Sequence, residues 1–145
     1  MIIKQLSVFL ENKQGRMCAA ADLLAQNNIN IRALSLADTS AFGILRLIVD
    51  KPEEGKKILS EAGIVVRVTN VLSLTMEDTP GGTLGVLRLL AERGIGVEYM
   101  YALATKNNDA TIVIKTSNAE EAALLLQKEG AEFLTSKEIE ELSNM

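Results

Sequence analysis

Glu11-Asn12-Lys13-Gln14-Gly15-Arg16 and Glu77-Asp78-Thr79-Pro80-Gly81-Gly82 are one turn written twice, 66 positions apart. Each follows an alternating apolar stretch and leads into a helical one. Outward from the turn, in the same register, Leu23-Leu24 meets Leu89-Leu90 and Asn28-Ile29-Asn30-Ile31 meets Gly94-Ile95-Gly96-Val97. One extra residue in the second copy moves the offset to 67. Glu53-Glu54 then meets Glu120-Glu121, and Gly63 meets Gly130. The chain therefore reads as an internal duplication, with one unit over residues 1–70 and the second over 71–145. A unit of about 65–70 residues is near the lower limit for an independent core. Two copies gain by packing together, and a groove between them is where a ligand is expected.

The hydrophobic period changes in the same order in both copies. Gln5–Leu10 alternates, with Leu6, Val8 and Leu10 on one face, as a half-buried strand does. Met17, Ala20, Ala21 and Leu24 recur at helical spacing. Asn28, matched by Gly94, stands where a helix end needs a left-handed residue. Ile29–Leu36 and Ile44–Val49 read as strands joined by the turn Asp38-Thr39-Ser40. Asp50 and Glu53 have capping-box spacing, and Pro52 helps to start a helix whose apolar side is Ile58, Leu59 and Ala62. Gly63 ends that helix, and Val65–Thr69 is a strand.

The second copy repeats each step. Leu72, Leu74 and Met76 alternate, and Val86, Leu87 and Leu90 form the inner side of a helix. Val97–Ala102 and Ala110–Thr116 are strands around Asn107-Asn108. Ser117 and Glu120 repeat the capping box before a helix that buries Ala122, Leu125 and Leu126. A short strand at Glu132–Thr135 and a helical turn over Lys137–Leu142 close the chain. No linker separates the copies, since Val65–Met76 runs on with only Asn70 at the join, and rigidly held halves are expected. The order βαββαβ, twice, predicts an α+β fold of two ferredoxin-like units. Each is an antiparallel sheet with both helices on one face.

Composition narrows the function. With 48% hydrophobic and 23% charged residues, the 145-residue chain has the balance of a folded soluble protein. It has no apolar run of the ~20 residues a membrane helix needs. Its N-terminus does not resemble an export signal, and Cys18 has no disulfide partner, so a cytoplasmic location is expected. The net charge is −4: residues 1–70 carry nine basic and seven acidic side chains, and residues 71–145 carry six and twelve. Neither half has the basic excess of a phosphate-backbone binder. Phe42-Gly43 near a strand invites comparison with RNA-binding modules. Three Phe and two Tyr are too few for a base-stacking sheet, so no nucleic-acid partner is expected.

Histidine is absent, which excludes Cys-His and Ser-His-Asp nucleophiles and histidine-ligated metals. Glu53-Glu54 and Glu120-Glu121 pair acids, but in first helical turns, where the helix dipole favours negative charge. Cys18 reads as a small helix residue with nothing to activate it. No enzymatic activity, metal or cofactor is expected. Pro80-Gly81-Gly82-Thr83-Leu84-Gly85 opens a helix after a strand, yet matches neither dinucleotide nor P-loop spacing. What both copies retain is a polar turn feeding a helix N-terminus, whose free N–H groups favour a carboxylate. Asn12 and Asp78 add acceptors able to hold an ammonium, which together describe the head of an α-amino acid. The alternative reading is that Gly15 and Gly81 only permit a tight turn.

These two turns, each followed by a Leu-rich helix, resemble the first loop of ACT domains. Asn28-Ile29-Asn30-Ile31, running into Arg32-Ala33-Leu34-Ser35, is similar to the start of that family's second strand. The resemblance covers nearly the whole chain as a tandem ACT protein. It implies a non-enzymatic regulatory module that binds an amino acid or similar small metabolite at an inter-domain site. The implied ligand residues are Asn12, Gln14, Gly15, Arg16 and Asn30 in the first copy, and Asp78, Pro80, Gly81, Gly82 and Thr83 in the second. Gly96 replaces the strand asparagine in the second copy, so the two sites are not expected to be equivalent. Tyr99 and Tyr101, two apart on one strand, are candidates for a pocket wall or for plain sheet packing. A homodimer is expected from sheet faces carrying Phe9, Ile44, Ile48 and Val113, along with action on a separate target enzyme. The alternative is an interaction subunit of an enzyme of amino-acid metabolism with no ligand of its own.

Overall fold

The computed structural model describes the chain except for Met1, Asn12, Thr39–Ala41, Asp78, Asn107, Asn108, Ser136 and residues 139–145; of Asp38, Ala104, Thr105 and Lys106 it describes the backbone. Two compact units emerge. One is Lys4–Thr69; the other runs from Asn70 onward and includes the first three residues.

The first unit contains β1 (Ile2–Glu11) from Lys4 onward, α1 (Arg16–Gln26), β2 (Ile31–Asp38), β3 (Phe42–Val49), α2 (Pro52–Glu61) and the beginning of β4 (Val65–Glu77). Its strands lie in the order β2-β3-β1-β4, with β3 antiparallel to both neighbours. Leu6, Val8 and Leu10 pair with Leu47, Leu45 and Gly43. They form the core with Val49, Ala20 and Leu24 of α1 and Leu59 of α2. Gly55 brings α2 close to this layer: a Cβ there would lie 3.0 Å from Leu6 Cδ1. The inner side of α2 is thus Gly55 and Leu59, while Ala62, expected to face inward, is the exposed C-cap residue.

The second unit repeats the arrangement with the rest of β4, α3 (Gly82–Glu92), β5 (Val97–Lys106), β6 (Asp109–Thr116), α4 (Ala119–Lys128) and β7 (Glu132–Phe133). Here β6 lies between β4 and β5, and β7 pairs with the other side of β4. Leu72, Leu74, Met76 and Ile114 pack with Leu90, Ala122 and Leu126. The two strands expected on either side of Asn70 are one 13-residue strand, because that stretch contains no residue that stops extended backbone. Of the expected turns, Thr39-Ser40 and Asn107-Asn108 lie outside the described residues, as does the end of the helical turn expected over Lys137–Leu142.

Several local expectations shift by a residue or a face. Asn28 takes φ 57 and Gly94 φ 70, the left-handed ends expected of α1 and α3. The acidic pairs do occupy the first turns of α2 and α4. The capping boxes do not form as expected, because both helices start one residue later. Lys51 is the N-cap of α2 and contributes no side-chain cap. Asn118, not Ser117, caps α4, its Oδ1 accepting from the Glu121 N–H at 3.0 Å.

Asp50 and Ser117 do a different job. Asp50 Oδ1 accepts from the Asn30 N–H at 2.9 Å, and Ser117 Oγ accepts from the Gly96 N–H at 3.0 Å. The Asp50 and Ser117 N–H groups donate back to the Asn30 and Gly96 carbonyls. A two-bond clip therefore holds the chain just before β2 and before β5.

β1 is also not half-buried. Gln5 and Ser7, on the face away from the helices, are buried as well. They escape the cost of burial through a polar row: Gln5 Nε2 donates to Ser7 Oγ at 3.1 Å, and Ser7 Oγ lies 2.9 Å from Thr69 Oγ1. Ile48 and Val113, expected on open sheet faces, are 5% and 0% exposed, and Phe9 and Ile44 are half-buried.

Candidate functional site

In each copy the strand end and the helix start, on either side of the turn, border a cleft. Lys13 N–H donates to the Glu11 carbonyl at 2.7 Å, and Arg16 N–H to the Lys13 carbonyl at 3.3 Å. Gly15 at φ 85 then turns the chain into α1. The second turn is built alike, with Gly82 N–H donating to the Thr79 carbonyl at 3.0 Å and Gly81 at φ 85. Both positions demand glycine, since a side chain is strained at that φ. Glycine also brings no oxygen of its own to cap the first helical turn.

The first cleft, about 430 Å³, is lined by Phe9, Leu10, Glu11, Arg16, Phe42, Gly63, Ile64 and Val65. A smaller recess of about 270 Å³ adjoins it on the side of Lys13, Met17, Leu36 and Gly43, and shares Leu10, Glu11 and Arg16. The second copy has a cleft of about 360 Å³, bordered by Met76, Glu77, Gly82, Leu89, Glu129, Gly130 and Ala131 among others. Met76, Glu77, Gly82, Gly130 and Ala131 are the repeat partners of Leu10, Glu11, Arg16, Gly63 and Ile64. The duplication thus conserves the cleft as well as the fold. Both volumes fall in the range of small-molecule sites.

The electrostatics differ between copies. Glu11 Oε2 lies 3.1 Å from Lys13 Nζ and 3.6 Å from Arg16 Nη2. The Lys13 hydrogen bond, then the charges of Lys13 and Arg16, hold the Glu11 carboxyl below the usual carboxylate range. All three side chains are about half exposed or more, so the pairs are readily exchanged for a ligand's groups. In the second copy Gly82 replaces Arg16, and its backbone closes on the strand. A Cβ on Gly82 would sit 2.0 Å from the Glu77 carbonyl oxygen.

Of the residues singled out in the sequence, Gln14, Gly15 and Arg16 are together at the first turn, and Pro80, Gly81, Gly82 and Thr83 at the second. Asn12 and Asp78 lie outside the described residues. Asn30 is elsewhere in its unit. It precedes Ile31, which pairs with Val49, whereas the turn follows Glu11, which pairs with Phe42. Those ends of β3 are about 23 Å apart at ~3.3 Å per residue. Antiparallel pairing through β3 makes β1 and β2 run the same way, which puts the end of one and the start of the other at opposite edges. Tyr99 and Tyr101 are half-buried on β5 and line neither cleft. The residues lining the first cleft that sequence reasoning missed as ligand contacts are Phe9, Leu10, Glu11, Phe42, Gly63, Ile64 and Val65. Two of the chain's three Phe among them was the available signal.

A family model described as an ACT domain pair matches residues 1–143. The chain belongs to that family. A crystal structure of a Bacteroides thetaiotaomicron protein resembles this ACT domain pair at TM-score 0.88 and 37% identity, over 96% of each chain. The regulatory subunit of aspartate kinase from Thermus thermophilus, in a ligand-free form, shares the fold at TM-score 0.61 and 16% identity, over 88% of this chain and 96% of that one. The corresponding subunit from Thermus flavus does so at 0.60 and 15%, over 88% and 94%. None of the curated proteins matches. These two neighbours are regulatory subunits. Among the described residues no helix is long and apolar enough to cross a membrane, and no three His, Cys, Asp or Glu side chains cluster as metal ligands.

Proposed function

We infer that this ACT domain pair is a non-enzymatic sensor of an α-amino acid or a similar small metabolite, acting on a separate target enzyme. The observation that carries this reading is the recurrence of a cleft at the same place in both copies, each ending on a glycine turn that feeds a helix. The ligand's carboxylate is held by the first-turn N–H groups after Gly15 or Gly81, which the helix dipole makes attractive to anions. Its ammonium is held by Asn12 in the first copy or Asp78 in the second. Gln14 and Arg16 flank the first site; Pro80, Gly82 and Thr83 flank the second.

Titration calorimetry against the twenty amino acids tests it, with Asn12→Ala and Asp78→Ala separating the copies. Loss of one charge-assisted hydrogen bond, about 1.5–3 kcal/mol, weakens binding roughly ten- to a hundredfold. Unchanged affinity in both folded variants removes the basis for these sites. An interaction subunit without a ligand produces no heat with any of the twenty.

A further inference from the structure

The two clefts share their framework but differ in charge and in aromatic content. The first turn carries Lys13 and Arg16 against Glu11, a net of +1, whereas the second carries Glu77 and Asp78 with no base, a net of −2. Arg16 is the one basic side chain bordering the first cleft. Both ionisable side chains bordering the second, Glu77 and Glu129, are acidic.

The walls differ in the same sense. The register sets Phe9 opposite Ile44 and Glu11 opposite Phe42, so the two phenylalanines are diagonal neighbours on one sheet face. Thr75 replaces Phe9 in the second copy. Phe42 and Val65, at 52% and 61% exposure, are among the most exposed large apolar side chains of the molecule, and both border this cleft. The Arg67 guanidinium stacks 5.8 Å from the Phe9 ring centre and adds a second cation near the aromatic wall.

We propose that the first cleft selects a small carboxylate bearing a flat apolar group. The group lies between Phe9, Phe42 and Val65, and the carboxylate displaces Glu11 from Arg16. The second cleft, with two carboxylates and no base, rejects the same molecule. Arg16 and its repeat partner Gly82 are therefore the specificity-determining pair. This rests on the reading that the turns bind a small ligand.

The test uses 3-phenylpropionate and phenethylamine, which share an apolar body and carry opposite charges, with acetate as a headgroup control. Amide chemical-shift titration of the full chain locates each probe. The expected result is perturbation by 3-phenylpropionate around Phe9, Arg16, Phe42 and Val65, and not around Glu77 and Gly82. Arg16→Gln weakens it about tenfold and Arg16→Lys recovers part of the loss. Phe42→Ala, at an exposed position, weakens 3-phenylpropionate and leaves acetate unchanged. Equal binding of phenethylamine at this cleft, or no effect of Arg16→Gln, overturns the proposal. An amino acid that binds at either turn while 3-phenylpropionate behaves like acetate overturns this selectivity but leaves the proposed function standing. Binding of 3-phenylpropionate as described, with no response to any amino acid, supports the selectivity and overturns the amino-acid reading. No response to any probe or to any amino acid overturns both.

Discussion

Gly82→Ala is the sharpest test of how the second turn is built. The added Cβ would meet the Glu77 carbonyl oxygen at 2.0 Å, and real Cβ atoms essentially never come within 3.0 Å of such a neighbour. The contact must therefore open by about an ångström, and the obstacle is backbone, which cannot rotate away as a side-chain tip can. Overpacking of this kind costs about 1–3 kcal/mol. Alanine's higher helix propensity returns at most ~1 kcal/mol, and less at the first helical position than in the interior. A net loss of roughly 1–2 kcal/mol remains. With a urea slope of about 1–3 kcal/mol per molar, the unfolding midpoint falls by roughly 0.3–2 M. Arg16→Ala is the control, because the repeat partner already carries a Cβ and its exposed ion pair contributes little. Urea unfolding followed by circular dichroism, with amide spectra confirming the native fold, decides it. Equal or greater stability of Gly82→Ala than of Arg16→Ala refutes the close approach and with it the account of why the turns differ.

Other perturbations follow from single contacts. Ser7→Ala takes one hydrogen bond from Gln5 and one from Thr69 in the polar row and lowers stability by about 1–3 kcal/mol, read from the same denaturation curves. Asn118→Ala removes the α4 cap and costs about 1 kcal/mol, with faster amide exchange in the first turn of that helix as the local signature. Glu11 titrates below an ordinary carboxylate, so its ion pairs add stability above the unfolded-state pKa and lose it as pH falls through the folded one. Carboxyl-carbon NMR of Lys13→Ala should show the Glu11 midpoint rising toward the ordinary value; no movement would contradict the assignment of Lys13 as the main cause.

The fold was legible because its signals are local and repeated. Periodicity, the left-handed positions at Asn28 and Gly94, and the acidic first turns each depend on neighbours a few residues away. Duplication doubled every one of them. The site was legible only where it is local too, at the turns around Gly15 and Gly81. Placing Asn30 beside Gly15 failed because their separation depends on strand direction and pairing, which no short motif encodes. Phe9 and Phe42 were overlooked for the same reason: 33 positions apart in sequence, they meet only through the register of β1 with β3. The close approach at Gly82 left a glycine in the sequence but no sign of which oxygen excluded a side chain.

The clip before β2 and β5 has a bearing on how such a sequence drifts. Asp50 and Ser117 grip only the main chain of Asn30 and Gly96, through an N–H and a carbonyl that every residue but proline supplies. Selection for the clip therefore falls on positions 50 and 117, where a short side chain with an acceptor oxygen is needed. Positions 30 and 96 escape it. Across descendants of this duplication, Asp, Asn, Ser or Thr should persist at the two gripping positions, while the two gripped positions wander, with proline alone forbidden.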